Sequence, residues 1–353
     1  MRRGASSPHR AAAPVLAAAA ALLLLCLGPA ATAKEASVSA ASGASGDAAP
    51  LQFPWLAPAL EDAARSLRLD VSDRGVGDAG AAALAAGLTR VPLLRELRVE
   101  RDGVGASGAA ALARTLADVP ALEKLYLRGN ARLGAEGALA LARGLEAVPR
   151  LSVLSLDACS LGADGAAALF TTGLPHVAGT LKELYLSENG MGPGSAAQLV
   201  AALKGGARGV TNLGLQGNAL GDAGAAALAK GFKHANGLTF LFLCNNSIAD
   251  AGAAALAKAM RGAASLKFFF ASNNRVGDAG AAALADALGA LPAVETLNLY
   301  ANEIGDAGGA ALAEAIGKLR TLKKVDVRAN KMGNAGRGAV QQACAKVGAK
   351  CKV

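Results

Sequence analysis

Residues 294–316 read VETLNLYANEIGDAGGAALAEAI and contain the two patterns that decide the fold. Leu297 and Leu299 alternate with other residues, and this period of two is typical of a short strand with one buried face. Asp306 then precedes a run of Ala and Leu, which have high helix propensity. Asp is a favoured N-cap because its carboxylate accepts hydrogen bonds from the first free helix amides. The stretch therefore predicts a strand, a turn and an Asp-capped helix.

This unit recurs along the chain with a period of 28 to 30 residues, each time with a phrase close to VGDAGAAALA. A fixed period in this range indicates a solenoid, in which each unit buries its apolar face against its neighbours. Because each strand returns through a helix, successive strands are expected to be parallel. The sequence predicts ten units, marked by Gly80, Gly108, Gly137, Gly165, Gly194, Gly224, Gly252, Gly280, Gly308 and Gly336.

An asparagine follows most of the predicted strands at a fixed offset. A buried Asn needs partners for both its amide donors and its acceptor, and stacked units can supply them from neighbouring backbone groups. We therefore expect a ladder of buried side chains, with Cys159, Asp102 and Arg74 at this place in the fourth, second and first units. The ladder asparagines are Asn130, Asn189, Asn218, Asn246, Asn274, Asn302 and Asn330.

The L-x-x-L-x-L-x-x-N core joined to I-G-D-A-G-A-x-A-L-A resembles leucine-rich repeats of the ribonuclease-inhibitor type. The resemblance covers about residues 64 to 344. It implies an α/β horseshoe with parallel strands on the concave face, helices on the convex face, and protein ligands bound mostly by the concave face. The first two units depart from the pattern because they lack the Asn, and the third carries one extra residue before Leu133.

Residues 1–33 have the organisation of a secretory signal peptide. Three arginines precede an apolar run from Val15 to Leu27, and Ala31-Thr32-Ala33 offers a cleavage site. An uncleaved signal anchor and an organelle-targeting leader are the alternatives. No second apolar run of spanning length follows in the sequence, so we expect a secreted or lumenal protein without a membrane span after cleavage.

The rest of the chain divides into four parts. Residues 34–50 are rich in Ala, Ser and Gly and predict a flexible linker, and residues 51–66, which hold the only Trp, predict an N-terminal cap. Residues 67–344 hold the repeats, and residues 345–353 form a C-terminal cap or tail. Cys344 and Cys351 could close a small disulfide staple if the chain turns near Gly348, and two free thiols are the alternative.

Composition and motifs argue against catalysis, cofactors and nucleic acid. Without the leader, 33 basic residues face 27 acidic ones, and many of the basic residues fall near predicted helix ends, where they complement the helix dipole. GVGDAG and GVGASG, residues 75–80 and 103–108, match a dinucleotide fingerprint, but the same turn recurs in every unit and a solenoid would not build ten cofactor sites. No His, Cys or carboxylate grouping has the spacing of a metal site or a catalytic triad. We expect no enzyme, no cofactor and no metal.

The outward positions of the predicted strands collect aromatic residues, which are common anchors of protein interfaces. Phe240, Phe242, Phe268, Phe270 and Tyr300 are expected to lie together, exposed, on three adjacent strands. Self-association through this patch and intramolecular packing are the alternatives to a partner site. The predicted partner-binding residues are Tyr126, Tyr185, Phe240, Phe242, Phe268, Phe270 and Tyr300.

These patterns favour a non-enzymatic scaffold that binds a protein or peptide in the secretory pathway or outside the cell. The repeats also resemble those of the proteins that activate the GTPase Ran. Those proteins are cytosolic and end in an acidic tail, whereas this chain begins with a leader and ends in a basic segment. A glycan-binding surface protein is the third hypothesis, because aromatic side chains also stack on sugar rings.

Overall fold

Eleven strands of three residues each form one parallel sheet whose strand order follows the chain. The computed structural model describes residues 53–204, 209–232 and 237–353, so the predicted signal peptide, the linker and residues 51–52 of the predicted cap lie outside the described residues. We number the units so that unit n begins with strand βn. The strands are β1 Arg68–Asp70, β2 Glu96–Arg98, β3 Lys124–Tyr126, β4 Val153–Ser155, β5 Glu183–Tyr185, β6 Asn212–Gly214, β7 Phe240–Phe242, β8 Phe268–Phe270, β9 Thr296–Asn298, β10 Lys324–Asp326 and β11 Lys350–Lys352.

Helices alternate with the strands, so the predicted α/β solenoid of about ten repeats is confirmed. The fourth unit is irregular, because a π-helical turn, Leu169–Gly173, joins its two short helices. The helices are α1 Leu56–Ser66, α2 Gly77–Leu88, α3 Ala106–Thr115, α4 Gly134–Gly144, α5 Gly162–Ala168, α6 Leu174–Val177, α7 Gly192–Lys204, α8 Gly221–Phe232, α9 Asp250–Met260, α10 Asp278–Leu288, α11 Asp306–Ile316 and α12 Asn334–Val347. Two 3₁₀ turns, Leu116–Asp118 and Leu145–Ala147, follow α3 and α4.

The core lies between the sheet and the helices. The central residue of each strand points into it, as Leu97 and Leu125 show, and leucines such as Leu84 and Leu112 meet them from the helices. Alanines on the buried helix faces let neighbouring helices approach closely, because their side chains add little bulk. Burial of this apolar surface in every unit is the main force that holds the stack together.

The predicted asparagine ladder is confirmed, but Arg74, expected at the same place in the first unit, is exposed. The Asn130 side-chain oxygen accepts hydrogen bonds from the backbone amides of Asp102 and Val104, both at 3.1 Å. Its amide group donates to the carbonyl oxygens of Val99 and Leu127, both at 2.7 Å. Each ladder residue thus ties its own turn to the preceding unit, which fixes the stacking distance between units.

The aspartate predicted to cap its own helix caps the helix of the next unit instead. Asp278 lies at the start of α10, and its Oδ1 accepts hydrogen bonds from the backbone amides of Gly305 and Gly308 at 2.7 and 2.8 Å. Gly305 directly precedes the next unit's helix, α11, and Gly308 lies in its first turn. The prediction was wrong because the N-cap position of α10 is taken by Gly277, so that Asp278 lies inside its own helix. The other capping aspartates are Asp78, Asp222, Asp250 and Asp306.

Units that receive no aspartate from the preceding unit begin their helices differently. There the first helical residue is a glycine in the left-handed conformation, and its amide donates forward to the backbone of the next unit. Gly221, for example, has φ +57° and donates to the Asn246 carbonyl at 2.8 Å. Only glycine adopts this conformation without strain. The five glycines of this type are Gly77, Gly134, Gly162, Gly192 and Gly221.

Three residues after the glycine or alanine at which each of these helices starts, close packing requires a small residue. A Cβ added to Gly280 would lie 2.6 Å from Asp250 Oδ1, and one added to Gly308 would lie 2.7 Å from Asp278 Oδ1. In the fifth unit this place belongs to Ser195, which is buried, and not to Gly194, around which a Cβ would find open space. The glycine predicted to mark that unit, Gly194, is therefore one residue away from the buried position, Ser195.

Candidate ligand-binding face

The candidate site is the face of the sheet turned away from the helices, which we call the concave face. The first and third residues of each strand project from it, because successive side chains of a strand alternate between the two faces. All seven predicted partner-binding residues lie on or directly after these strands. The third residue carries Tyr126, Tyr185, Phe242 and Phe270, the first carries Phe240 and Phe268, and Tyr300 follows β9 by two residues.

The four phenylalanines of β7 and β8 form one stacked group, which we call the Phe cluster. In-register pairing places Phe240 opposite Phe268 and Phe242 opposite Phe270. The ring centroids of these pairs lie 4.2 and 4.9 Å apart, with the planes nearly parallel. The two rings of β7 are also stacked, with centroids 6.2 Å apart. The predicted proximity of these rings is therefore present in the structure.

Their predicted exposure is wrong for most of the rings. Phe240, Phe242, Phe270 and Tyr185 are buried, and the largest exposed fraction among them is 7%. In-register strands bring flat rings face to face, so that neighbouring rings cover one another. Tyr185 lies on β5, on the other side of β6 from the Phe cluster. Its ring occupies the space above Gly214 of β6, where an added Cβ would lie 3.0 Å from Tyr185 Cδ1. The other three predicted residues, Tyr126, Phe268 and Tyr300, are partly exposed.

Each of the two half-buried tyrosines faces an arginine. The Arg98 guanidinium lies 3.7 Å from the centroid of the Tyr126 ring, a close cation–π contact, and that of Arg328 lies 5.5 Å from the Tyr300 ring. Arg328 is in turn held by Asp326 at 2.7 Å. These contacts restrict the movement of both tyrosine rings.

The N-terminal part of the concave face is charged. Glu96 lies between Arg68 and Lys124 in the sheet register. Its carboxylate accepts a hydrogen bond from Arg98 Nε at 2.6 Å and forms ion pairs with Arg68 at 3.3 Å and with Lys124 at 3.7 Å. The face is thus divided along the chain into a charged part on β1–β3 and an aromatic part on β7–β9.

Buried polar groups lie between these two parts. Asp157 Oδ1 accepts a hydrogen bond from the Ser187 amide at 2.6 Å, and its Oδ2 accepts one from the Ser155 hydroxyl at 3.2 Å. Burial raises the pKa of Asp157 to about 6, against the opposing effect of the Ser187 amide and other hydrogen-bond donors. The burial of Asp157 could not be predicted from its place two residues after β4, where side chains were expected to be exposed.

A second polar group lies beside the first. The Tyr185 hydroxyl donates to Glu183 Oε2 at 2.7 Å and accepts from the Asn212 side-chain amide at 3.2 Å. Burial raises the pKa of Tyr185, so its hydroxyl stays protonated at neutral pH. The hydroxyl therefore acts as both donor and acceptor within this group.

Within the described ranges, no group of three or more His, Cys, Asp or Glu side chains could hold a metal ion. Cys159 is buried in the ladder as predicted, and burial raises the pKa of its thiol to about 12. Of the described helices, none is long and apolar enough to span a bilayer.

The C-terminal end of the solenoid brings Cys344 and Cys351 together. Their Cα atoms are 6.1 Å apart and their sulfur atoms are bonded, with the left-handed Gly348 providing the turn between α12 and β11. The strand that carries Cys351 pairs with β10 in register, Cys351 opposite Val325. The predicted tail thus continues the sheet by one strand.

Comparisons with known proteins agree with this architecture. The family model described as Leucine Rich repeat matches residues 120–142, 210–229 and 292–313. No curated protein matches the sequence. A chain of the mouse RP105/MD-1 complex is similar in fold, with a TM-score of 0.55 and 20% identity over 76% of this chain and 39% of that chain. This chain therefore spans about two fifths of the mouse chain.

A second solved structure is an internalin from Listeria monocytogenes str. 4b F2365. It aligns with a TM-score of 0.45 and 14% identity over 82% of this chain and 88% of that chain.

Proposed function

Because the chain is a leucine-rich repeat protein, we propose that it is a non-enzymatic scaffold whose concave face binds a protein or peptide ligand. The observation that carries the proposal is the Phe cluster with its half-buried rim. The cluster lies on the sheet face that the helices leave uncovered, and Phe268 and Tyr300 give that rim partly accessible rings. Rigid aromatic rings are effective anchors because they supply contact area at little cost in side-chain entropy.

An extended peptide segment is the ligand that this face fits best. Its side chains could reach the partly exposed rings of Phe268 and Tyr300 while its backbone groups meet the half-buried carboxylate of Glu183. The charged part on β1–β3 would then set the orientation of the ligand, since rim charges contribute more to specificity and association rate than to affinity. The mouse chain that shares the fold belongs to an RP105/MD-1 complex, and this supports a protein ligand.

The binding face can be tested by site-specific photocrosslinking. A benzoylphenylalanine placed at Phe268 or Tyr300 is expected to give a discrete adduct in cells that make the protein. The matched control is the same group at Leu139, a 36% exposed residue of helix α4 on the opposite side of the unit. Equal labelling from all three positions would contradict the proposal, and an adduct with a second copy of the chain would assign the face to self-association.

We further propose that the repeats are of the ribonuclease-inhibitor type and that the protein acts in the secretory pathway or outside the cell. The strand–helix alternation at 28 to 30 residues supports the subtype. The signal-like residues 1–33 and the bonded pair Cys344 and Cys351 support the location, because disulfides persist in oxidising compartments. Sequencing the N-terminus of a C-terminally tagged protein tests this: a chain that starts at Lys34 in the medium supports it, and an intact chain in the cytosol contradicts it.

A further inference from the structure

The net charge of the protein is concentrated at its C-terminal end. Of 36 Lys and Arg residues, ten lie in residues 318–353, together with only one of the 27 acidic residues, Asp326. The preceding 317 residues carry 26 of each kind and are neutral, so these last 36 residues account for the whole net charge of +9. We call the ten side chains the basic end: Lys318, Arg320, Lys323, Lys324, Arg328, Lys331, Arg337, Lys346, Lys350 and Lys352.

Most of these side chains are exposed and have no acidic partner. All except Arg328 are exposed. Lys318, Lys323 and Lys331 each pair with a glutamate, and Arg328 pairs with Asp326. The other six form no ion pair with any described carboxylate: Arg320, Lys324, Arg337, Lys346, Lys350 and Lys352.

The basic end includes a groove. Lys318, Arg320 and Lys346 line it together with Gly317 and Val347, and no carboxylate does. Its volume of about 580 Å³ is in the range of small-ligand sites. It lies between the return loop that follows α11 and the C-terminal end of α12.

Structural roles explain only part of the excess charge. Lys346 lies in the last turn of α12, where it complements the helix dipole. Lys350 and Lys352 lie on the last strand of the sheet, and lysines on an open edge prevent pairing with other chains. Neither reason applies to Arg320 in the loop or to Arg337 in the first turn of α12, where a positive charge opposes the dipole.

The surroundings of the basic end favour one kind of polyanion. The exposed large hydrophobic residues of the described chain are Leu93 and Leu139, both in the N-terminal half, so nothing here could insert into a bilayer. The 36 residues contain no aromatic side chain on which a base could stack. A ligand that offers charge without bases or acyl chains fits this chemistry, and the disulfide at the same end fits an oxidising compartment.

We propose that the basic end binds a sulfated polysaccharide, with Arg320, Lys346 and Lys350 among the sulfate contacts. Arginine and lysine bind sulfate oxygens by charge-assisted hydrogen bonds, and the polymer gains from several such contacts at once. The inference rests on the secretory location proposed above. Binding by the purified protein and sequencing of its N-terminus are separate measurements, so that one can fail without the other.

The test is binding of the full purified chain to a heparin octasaccharide as a function of salt. The triple variant Arg320→Gln/Lys346→Gln/Lys350→Gln is compared with Arg65→Gln/Arg90→Gln/Arg150→Gln, which removes the same charge from exposed arginines elsewhere. Since an exposed charge pair contributes roughly a factor of two to five, the first variant should bind about tenfold or more weakly. The control should change by less than about threefold, and the wild-type affinity should fall steeply with salt. Circular dichroism melting confirms that both variants are folded.

Three results would overturn the proposal. Equal loss in both variants would show that net charge, not the basic end, binds heparin. Equal binding of an unsulfated octasaccharide of the same length would exclude the sulfate contacts. Tighter binding of a DNA duplex or of phosphatidylserine vesicles, lost in the same variant, would reassign the surface to nucleic acid or to membranes.

Discussion

Replacing Asp222 or Asp278 by Ala removes equivalent hydrogen bonds, yet we expect the two substitutions to have different costs. Asp222 Oδ1 accepts from the amides of Ala249 at 2.7 Å and Gly252 at 2.9 Å. Asp278 Oδ1 accepts from the amides of Gly305 and Gly308 at 2.7 and 2.8 Å. Ala249 and Gly305 are both extended, with φ −106° and −93°. The difference is that one is alanine and the other glycine.

The loss of stability depends on whether the freed amides can find new hydrogen-bond acceptors. Loss of an N-cap carboxylate costs about 1–2 kcal/mol in the free energy of unfolding. After Asp278→Ala, Gly305 can turn to the left-handed conformation and donate forward, as Gly221 does to Asn246, which recovers part of the loss. Ala249 can do so only at a cost of about 1–2 kcal/mol. We expect about 1 kcal/mol for Asp278→Ala and about 2 kcal/mol for Asp222→Ala.

The assay combines urea unfolding with hydrogen exchange of helices α9 and α11, because a repeat array need not unfold in two states. Adding Ala249→Gly to Asp222→Ala should bring its cost down to that of Asp278→Ala, while Ala249→Gly alone should change stability by about 0.5 kcal/mol. Asp164→Ala is the control, since Asp164 is exposed and forms no hydrogen bond among the described residues. Equal costs for Asp222→Ala and Asp278→Ala, or no rescue by the added glycine, would refute the reasoning.

The remaining predictions concern a buried carboxyl, two helix glycines and the disulfide. Because the pKa of Asp157 is about 6 in the folded protein, the native state retains a proton that the unfolded state releases between about pH 4 and 6. Stability should therefore fall as pH rises through this window, by about 3 kcal/mol in total. The variant Asp157→Asn should lose this dependence in urea unfolding at pH 4.5 and 7.5, and an unchanged profile would contradict the assignment. Gly280→Ala should destabilise by about 1–3 kcal/mol, because its Cβ would meet a carboxylate oxygen at 2.6 Å. In contrast, Gly338→Ala, where no atom lies within 4 Å, should stabilise α12 by about 0.5–1 kcal/mol in thermal melts. Cys344→Ser should cost about 2 kcal/mol, given the seven-residue separation from Cys351, and should speed hydrogen exchange of β11; unchanged exchange would show that the bond does not hold the strand.

The architecture could be read from the sequence because its signals recur. A period of two around Leu297 and Leu299, followed by a helical run, specifies a strand and a helix, and repetition removes the ambiguity of any single instance. The ladder could be predicted as well, because a buried Asn such as Asn130 needs backbone partners that only a neighbouring unit supplies. Its replacement by Asp102 has a visible consequence: Asp102 Oδ2 has no partner among the described residues, and burial raises the pKa of this carboxyl.

The failures concern relations between units. Strand alternation correctly gave the side of the sheet on which Phe242 and Phe270 lie, but not their stacking against each other, which depends on register across strands. Asp278 caps the helix of the next unit, 27 residues away in sequence. Capping preferences describe only residues close in sequence, so they could not predict this contact. The error at Gly194 has a simpler cause. Residues 192–195, GPGS, contain two glycines, but the buried small residue of this unit is Ser195.

The two ways of starting a helix also limit how the gene could gain or lose repeats. Units 7 to 9 both receive a carboxylate and supply one, so a duplicated copy of any of them would leave neither an amide nor an aspartate unmatched at its borders. If a copy of one of these units were placed after unit 3, 4 or 5, the preceding unit would offer no aspartate carboxylate as acceptor. The amides at the start of the copied helix, which is not left-handed, would then have no partner. Repeats can therefore be added most easily in the C-terminal half, where each unit can replace its neighbour without loss of a cap.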